Sequence, residues 1–329
     1  ITVSNALTAT GAATLNANSG ITLGNSFTAN GAVALDADLD NNGTGDFTIS
    51  SGTLSTTSNA LTLTANDLIL TGSLNSGTGS TTINVSDGGS LGIGFSSGFG
   101  MNLTTTEQAN IIGTGDLSLV NGSITISASN SLSASGKLTI GQSGGTITGQ
   151  GALTLSGAKG LAINSSITSA GNLILEGDSN NSADSDDSIS LASGTSLIAS
   201  AGSITLDATT GGISAAGAVT LNATNGITIN DDLTSSGTAI FDADTDNNGT
   251  GTFTLASGEA LSTGNNALAI TAASMALSGT LSSGTAGTTL LTSQSGTTIG
   301  LGTGTGTFSL TDSELGQITA GRLTIGDGT

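Results

Sequence analysis

Apolar and polar residues alternate in short runs along the whole chain. A glycine, a variable residue and two aliphatic residues separated by one other residue recur at residues 115–119, 136–140, 151–155, 171–175, 202–206 and 217–221, and Gly237 continues the series. A period of two places both aliphatic side chains on one face of a strand and the residue between them on the other. We predict a strand in each segment, with the glycine at the corner before it, where a positive φ is often needed.

A second short alternation follows most of these units, as at residues 20–23 and 226–229, and a third, weaker one follows that. Three short strands and three corners in about 20 residues describe one turn of a solenoid. The predicted fold class is therefore all-β: a right-handed parallel β-helix, or β-solenoid, of about 20 residues per coil, in the form of an elongated rod. We expect Leu15, Leu35, Leu221 and Phe241 to face its interior, because each ends an alternating strand.

No sustained apolar stripe of helical period is present in the sequence. One segment, TTTEQANII at residues 104–112, is compatible with a single helical turn or with a bent strand corner, and the two interpretations stay open. Its copy lies at residues 311–318. Helical structure is thus expected at these two corners at most.

A long internal repeat organises the chain. Residues 11–48 recur at 217–254 with 22 of 38 positions identical, and the match extends over 11–122 and 217–328. Solenoids grow by duplication of whole coils, whereas a catalytic domain seldom contains most of itself twice. We therefore predict one continuous β-solenoid segment over residues 1–329, cut from a longer chain.

Composition limits the kinds of ligand and metal site that the chain can have. The 329 residues include 52 Gly but no Pro, Cys, His, Trp or Tyr, and the net charge is −20, with Lys137, Lys159 and Arg322 as the basic residues. Cysteine and histidine metal sites and disulfides are excluded. A polyanion is not expected to bind nucleic acid or anionic lipid, and no apolar run reaches the roughly 18 residues that a membrane span needs.

The acidic residues concentrate in three predicted loops. The first contains Asp36, Asp38, Asp40 and Asp46, its copy contains Asp242, Asp244 and Asp246, and a third contains Glu176, Asp178, Asp184, Asp186 and Asp187. In the first two loops, alternating aspartates are followed by Asn-Asn-Gly-Thr-Gly, and such oxygens are the ligands that calcium prefers. Calcium is therefore the one cofactor that the sequence suggests, with the seven aspartates of these two loops as candidate ligands.

The first loop departs from an EF-hand in two places. Gly43 stands at loop position eight rather than six, and Phe47 stands where a bidentate glutamate belongs. An ordinary polar turn of Asp, Asn and Gly explains the same residues. Both interpretations stay open, and we expect Phe47 and Phe253 to anchor the returning strands in the core.

Two other functions of β-solenoids fit less well. A polysaccharide lyase or hydrolase needs paired carboxylates together with basic residues and aromatic rings for the sugar, and the chain has three scattered cations and no Trp or Tyr. We expect no enzymatic activity. An ice-binding face needs a flat ladder of Thr, which the unequal spacing of the glycine motifs is expected to break.

The last copy of the repeat has a distinctive amino-acid sequence. Residues 310–328, LTDSELGQITAGRLTIGDG, resemble the repeats of giant secreted bacterial proteins of the filamentous haemagglutinin type. The first copy, residues 103–122, keeps Glu107, Ile111, Gly115, Leu117 and Leu119 but has Asp116 where the later copy has Arg322. The resemblance implies export by a two-partner or autotransporter route, an extracellular location at the outer membrane, and a role in adhesion to host or neighbouring cells. It assigns no functional residue here.

Two structural functions are therefore expected. The first is an adhesive surface protein in which this segment is a stalk continued by further repeats of the same chain. The alternative is a self-assembling filament or sheath whose copies stack head to tail. Neither end of the segment has the pattern of a cap, and an open solenoid end exposes unpaired strand edges.

Overall fold

The computed structural model describes residues 1–128, 130–183 and 186–327. Almost all of their regular structure consists of short parallel strands stacked into ladders, which confirms the predicted all-β solenoid. The chain divides into two compact units, Ile1–Ile147 (unit 1) and Thr148–Thr329 (unit 2), and each is described separately. The hand of the coils, a uniform coil length and the single continuous segment stay predictions.

Unit 1 contains short strands, most of them three to five residues long, together with one helix. They are β1 (Thr2–Val3), β2 (Leu7–Ala9), β3 (Ala13–Asn16), β4 (Ile21–Leu23), β5 (Phe27–Ala29), β6 (Val33–Asp36), β7 (Phe47–Ile49), β8 (Thr53–Ser55), β9 (Leu61–Ala65), β10 (Leu68–Leu70), β11 (Ser73–Asn75), β12 (Thr81–Val85), β13 (Leu91–Ile93), β14 (Met101–Leu103), α1 (Thr105–Ala109), β15 (Leu117–Val120), β16 (Ser123–Ile126), β17 (Leu132–Ala134), β18 (Leu138–Ile140) and β19 (Thr146–Gly149). A 3-10 turn lies at Ser86–Gly88.

Strand β19 begins in unit 1 and ends in unit 2, which follows the same plan. Its elements are β20 (Leu153–Gly157), β21 (Leu161–Ile163), β22 (Ser166–Ser169), β23 (Leu173–Glu176), β24 (Ile189–Leu191), β25 (Thr195–Ala199), β26 (Ile204–Asp207), β27 (Ile213–Ala215), β28 (Val219–Ala223), β29 (Ile227–Ile229), β30 (Leu233–Ser235), β31 (Ala239–Asp242), β32 (Thr252–Leu255), β33 (Ala260–Ser262), β34 (Leu268–Ala272), β35 (Ser274–Leu277), β36 (Thr280–Ser282), β37 (Gly287–Thr292), β38 (Ile299–Leu301), β39 (Phe308–Leu310), α2 (Asp312–Gly316), β40 (Ile318–Thr319) and β41 (Arg322–Asp327).

Strands pair mainly with the strand three positions further along the chain. In unit 1 the ladders run β1-β4-β7-β10, β2-β5-β8-β11 and β3-β6-β9-β12-β15-β18. In unit 2 they run β21-β24-β27-β30-β33-β36-β40, β22-β25-β28-β31-β34-β37-β41 and β20-β23-β26-β29-β32-β35. Three strands and three corners therefore complete one coil, as the sequence predicts.

Aliphatic side chains alternate between the interior and the surface in each coil. Leu35, Leu221 and Phe241 are at most 2% exposed, which confirms their predicted positions. Leu15 pairs in register with Leu35 but is only partly buried. The reason is that β3 lies at one end of its ladder, so that a neighbouring strand covers it on the β6 side alone. Phe47 and Phe253 are fully buried, as predicted, and the rings of Phe241 and Phe253 stack with their centroids 5.9 Å apart.

The glycines of the recurrent motif do not have the left-handed backbone conformation that the sequence predicts. Gly136 and Gly237 do not have a positive φ; instead, a Cβ placed on either would lie 2.6 Å or less from backbone atoms of the preceding coil. Glycine is required there because stacked coils approach closely, not because the corner is left-handed. A positive φ occurs before the second strand of the unit, at Gly20 (100°) and Gly226 (113°).

Both predicted corners are helical. Thr104 caps α1, where its side chain accepts from the Glu107 amide while the Glu107 carboxylate accepts from the Thr104 amide. Thr311 and Glu314 form the same capping box at α2. The Glu107 carboxylate also accepts from the amide of Leu70, and that of Glu314 from the amide of Leu277, each at 3.2 Å. Each glutamate therefore ties its helix to a strand of another coil.

Unequal coil lengths do not break the outward ladders. In unit 2, one outward position stays in register through Ser190, Ser214, Thr234, Ser262, Ser282 and Thr319. The additional residues of long coils lie in the corners between strands. The prediction that unequal spacing of the glycine motifs breaks such a ladder is therefore wrong. An ice-binding face needs threonine, however, and most residues of this ladder are serine.

Candidate functional site

The first acidic loop is held closed by the carboxylate of Asp38. Its side chain is fully buried, one oxygen accepts from the amide of Asn42 at 3.2 Å, and the other accepts from the amide of Gly43 at 3.0 Å. The hydroxyl of Ser86, two coils further along the chain, donates to the same carboxylate at 2.6 Å. Asp38 thus stabilises the loop internally and attaches it to another coil.

The other carboxylates of this loop have separate donors. Asp36 accepts from the amide of Asp38 at 3.2 Å, Asp40 accepts from the side-chain amide of Asn42 at 3.0 Å, and Asp46 accepts from that of Asn66 at 3.1 Å. Asp40 is exposed, whereas Asp36 and Asp46 are half-buried. The alternating aspartates therefore contact different parts of the loop and its neighbouring coil.

The copy of the loop in unit 2 repeats this arrangement. Asp244 is fully buried and accepts from the amides of Asn248 at 3.2 Å and Gly249 at 2.9 Å. Asp242 accepts from the amide of Asp244 at 3.1 Å, and Asp246 accepts from the side-chain amide of Asn248 at 2.8 Å. The sequence repeat is therefore also a repeat of hydrogen bonds.

A serine hydroxyl again completes the contact. Ser293 donates to the carboxylate of Asp244 at 2.5 Å, in the role that Ser86 has in unit 1. The two serines are 207 rather than 206 residues apart in the sequence, so the copies differ by one residue between loop and donor. Sequence comparison at one fixed offset does not find this pair.

Backbone geometry explains the glycines and asparagines of the loops. Gly43 has a φ of 74° and Gly249 a φ of 83°, and Asn41 and Asn247 also adopt left-handed conformations, which asparagine tolerates better than most residues. A Cβ on Gly45 would lie 1.9 Å from the carbonyl oxygen of Ala37. The run Asn-Asn-Gly-Thr-Gly is thus required by the turn itself.

The third acidic loop uses a related contact. Asp178 is 3% exposed; one of its oxygens accepts from the amide of Ser182 at 3.2 Å and the other from the hydroxyl of Thr210 at 3.3 Å. The same hydroxyl lies 3.0 Å from the carboxylate of Asp187. Glu176 ends β23 and Asp186 is exposed, whereas Asp184 lies outside the described residues.

Electrostatics differ among the aspartates of the loops. Burial alone would raise the pKa of Asp38, but hydrogen bonds from Ser86, Gly43 and Asn42 outweigh it and lower the pKa below its ordinary value. For Asp242, burial dominates and the charge of Asp244 adds to it, so the pKa is raised despite the amide of Asp244. Asp38 is therefore a structural carboxylate that is stabilised in its ionised form.

Within residues 1–128, 130–183 and 186–327, no group of three or more acidic side chains is placed so as to hold a metal ion. Calcium binding by Asp36, Asp38, Asp40, Asp46, Asp242, Asp244 and Asp246 stays a prediction. The contacts described above are those of a polar turn, the other interpretation that the sequence leaves open.

The structure also brings together carboxylates that the sequence analysis does not single out. Asp231, Asp232 and Glu259 line one cleft of about 480 Å³ in unit 2, together with hydroxyls that include Thr209 and Thr210. Asp231 and Glu259 are 28 residues apart, and only the register of β30 with β33 makes them neighbours. The one feature of the sequence that indicates this cleft is the pair of adjacent aspartates, Asp231 and Asp232, just before a strand.

In the described ranges, no helix is long and apolar enough to cross a bilayer. Comparisons with protein-family models, with curated proteins and with solved structures found no match to this chain. The resemblance of residues 310–328 to repeats of the filamentous haemagglutinin type thus stays a prediction.

Proposed function

We propose that this chain is a structural segment of an extracellular surface protein, in which stacked coils form a stalk or a filament that serves attachment. The observation that supports this most strongly is the state of the first coil of unit 1 and of the last described coil of unit 2. Each presents strand edges and inward-facing apolar side chains that a further coil would cover. The proposed role is architectural rather than catalytic.

The first coil shows this most clearly. Each of its strands, β1, β2 and β3, lies at the end of a ladder and pairs on one side only. Leu7 in β2 is 38% exposed, whereas its register partner Phe27 in the next coil is 1% exposed. The side chain that the coil pattern directs inward therefore lacks a cover.

The last described coil is open in the same manner. β41 pairs with β37 alone, and Leu323 is 37% exposed, whereas its register partner Thr288 is fully buried. Unpaired edges of this kind accept another strand unless charge, proline or a cap blocks them. A coil with the same alternation is the complementary surface for each end.

A coil that covers these ends can come from the same chain or from a second copy. Further repeats of the same chain would make this segment part of a stalk, and a second copy stacked head to tail would make it the subunit of a filament. The bacterial cell surface as its location, and a host or neighbouring cell as its target, rest on the resemblance of residues 310–328 alone.

Hydrogen exchange and sedimentation together test this proposal. We expect amides of the first coil, around Leu7, to exchange at least about tenfold faster than those of β9, because open edges unfold locally. In parallel, sedimentation velocity over a range of concentrations detects end-to-end association. Leu7→Lys places a charge on the open edge, and Thr8→Lys, on the outward face of the same strand, is the matched control.

Each outcome has a definite meaning. Concentration-dependent assembly that Leu7→Lys abolishes and Thr8→Lys retains supports the filament. A monomer with fast-exchanging end coils supports the stalk, whose neighbours are supplied by the same chain. A monomer whose first coil exchanges as slowly as β9 would show that the ends need no cover and would overturn the proposal.

A further inference from the structure

The first coil of the chain has a close copy inside unit 1. Residues 1–15, ITVSNALTATGAATL, match residues 124–127 and 130–140, ITIS and NSLSASGKLTI, with 8 of 15 positions identical. Four of the other seven positions exchange Ile for Val or Leu, or Ser for Thr. Strands β1, β2 and β3 are therefore the counterparts of β16, β17 and β18.

The last described coil of unit 2 is a copy of the coil that β16, β17 and β18 cover in unit 1. Residues 310–328 repeat residues 103–122, so β41 is the counterpart of β15. β38 pairs with β39 as β13 pairs with β14, which makes β38 the counterpart of β13. In this alignment Thr329 matches Ser123, and the next residue, Ile124, is the counterpart of Ile1.

Unit 1 shows how two such coils contact each other. β18 lies on β15 with Leu138 opposite Leu117, and β16 lies on β13 with Ile126 opposite Ile93. Leu132 of β17 lines a small cavity beside α1. The three strands of one coil thus cover two strands and a helical corner of the coil before it.

The apolar side chains of this contact are buried in unit 1 but exposed at both open ends. Four side chains there are 37% to 49% exposed, whereas their counterparts in unit 1 are at most 9% exposed. The exposed residues are Ile1, Leu7, Leu301 and Leu323, and their buried counterparts are, in the same order, Ile124, Leu132, Ile93 and Leu117. Each end therefore presents one half of a contact that unit 1 contains complete.

We propose that the last coil binds the first coil of a second copy of this chain, head to tail, in the register that β16 and β18 have on β13 and β15. β3 of one copy then pairs with β41 of the other, with Thr14 opposite Thr324. β1 pairs with β38, with Val3 opposite Leu301. The contact rests on the proposed function, which leaves both ends open to a coil, and the second copy is its partner because its first coil has the matching sequence.

Charge does not oppose this contact. Residues 1–35 contain no charged side chain and no proline, although the whole chain has 23 acidic residues. Charge and proline are the means by which natural sheet edges avoid pairing, and the first coil has neither. Where the contact within unit 1 has Asp116 beside Lys137, the contact between copies has Arg322 beside Ala12. No like charges meet there.

A disulfide between copies tests the register. Thr14 and Thr324 are exposed, and the chain has no cysteine, so Thr14→Cys with Thr324→Cys introduces one reactive group at each end. We expect oxidation to yield a series of covalent oligomers on a non-reducing gel, because paired strands lie about 4.8 Å apart. The control is Thr14→Cys with Thr289→Cys, one coil further from the end in the same ladder. At roughly 10 Å from Thr14, it should give none.

Sedimentation velocity of cysteine-free chains, over a range of concentrations, measures the association itself. Leu301→Lys places a charge opposite Val3 of the second copy and is expected to weaken association at least about tenfold. Ile240 is 48% exposed on the outward face of β31, similar to the 46% of Leu301. Ile240→Lys should leave association unchanged, because this face is not part of the contact.

The outcomes separate this contact from the proposed function. Oligomers from the first cysteine pair alone, with association that Leu301→Lys weakens and Ile240→Lys retains, support the contact. Equal oxidation of both pairs, or equal loss in both lysine variants, would overturn it. A chain that stays monomeric while its first coil exchanges rapidly also overturns the contact between copies but retains the stalk. Slow exchange of the first coil in a monomer would reject both.

Discussion

Replacing Leu221 by alanine is expected to lower the free energy of unfolding by about 3 kcal/mol, and replacement by asparagine is expected to lower it further. Leu221 is fully buried and lies in register between Leu197 and Phe241 in the ladder of β25, β28 and β31. Alanine leaves a cavity between these coils, and asparagine also buries an amide without a partner. Denaturant unfolding, analysed at constant slope, measures the loss.

The neighbouring residue is the matched control for this experiment. Thr220 lies in the same strand but faces outward and is partly exposed. Thr220→Ala should change the free energy of unfolding by no more than about 0.5 kcal/mol. A loss at Thr220 as large as that at Leu221 would mean that the two faces of the strand are exchanged.

Asp38→Ala is expected to destabilise the protein by about 3 kcal/mol in chelator, where only its hydrogen bonds are lost. The carboxylate accepts from two loop amides and from Ser86, and truncation leaves these donors without their acceptor. Because the pKa of Asp38 is lowered in the fold, its contribution is complete above the ordinary value of 3.8 and disappears as the pH falls through the lower folded value. The difference from the unmodified protein should therefore shrink in strong acid.

Asp40 separates a calcium loop from a plain turn. Its carboxylate is exposed and accepts from the side chain of Asn42 at the surface, so Asp40→Asn should change stability by less than about 0.5 kcal/mol in chelator. If the loop binds calcium, the same variant lowers the melting temperature in calcium alone. Equal melting temperatures of Asp40→Asn in calcium and in chelator, with no stabilisation of the unmodified protein by calcium, would reject the calcium prediction.

Local alternation was sufficient to predict the strands and most of the core. Leu35, Leu221 and Phe241 are buried because a period of two fixes the face of each strand, whatever the length of the coil. Leu15 has the same face but lacks a covering coil, which no local pattern indicates. The two helical corners were left open beside bent strands, although a threonine followed three residues later by glutamate, at Thr104 and at Thr311, is the sequence signature of a capping box.

Contacts between coils were beyond the reach of the sequence. Ser86 donates to a carboxylate 48 residues away, and Asp232 accepts from the amide of Ala260, 28 residues away, only because two strands are in register. The motif glycines were assigned to left-handed corners, whereas close approach of stacked backbones explains Gly136 and Gly237. Residue spacing does not determine register when coil lengths vary, so these features required the structure.

The most direct test of the solenoid is a disulfide between successive coils. The chain has no cysteine, so Ser214→Cys with Thr234→Cys introduces a single pair, at Cα partners on the outward face of β27 and β30. Neighbouring strands lie about 4.8 Å apart, within the range that a disulfide spans. The control pair, Ser214→Cys with Ser282→Cys, lies on the same face but three coils apart, at roughly 14 Å. We predict nearly complete oxidation of the first pair within the monomer and none of the second; failure of the first pair, or equal oxidation of both, would contradict the stacked parallel coils.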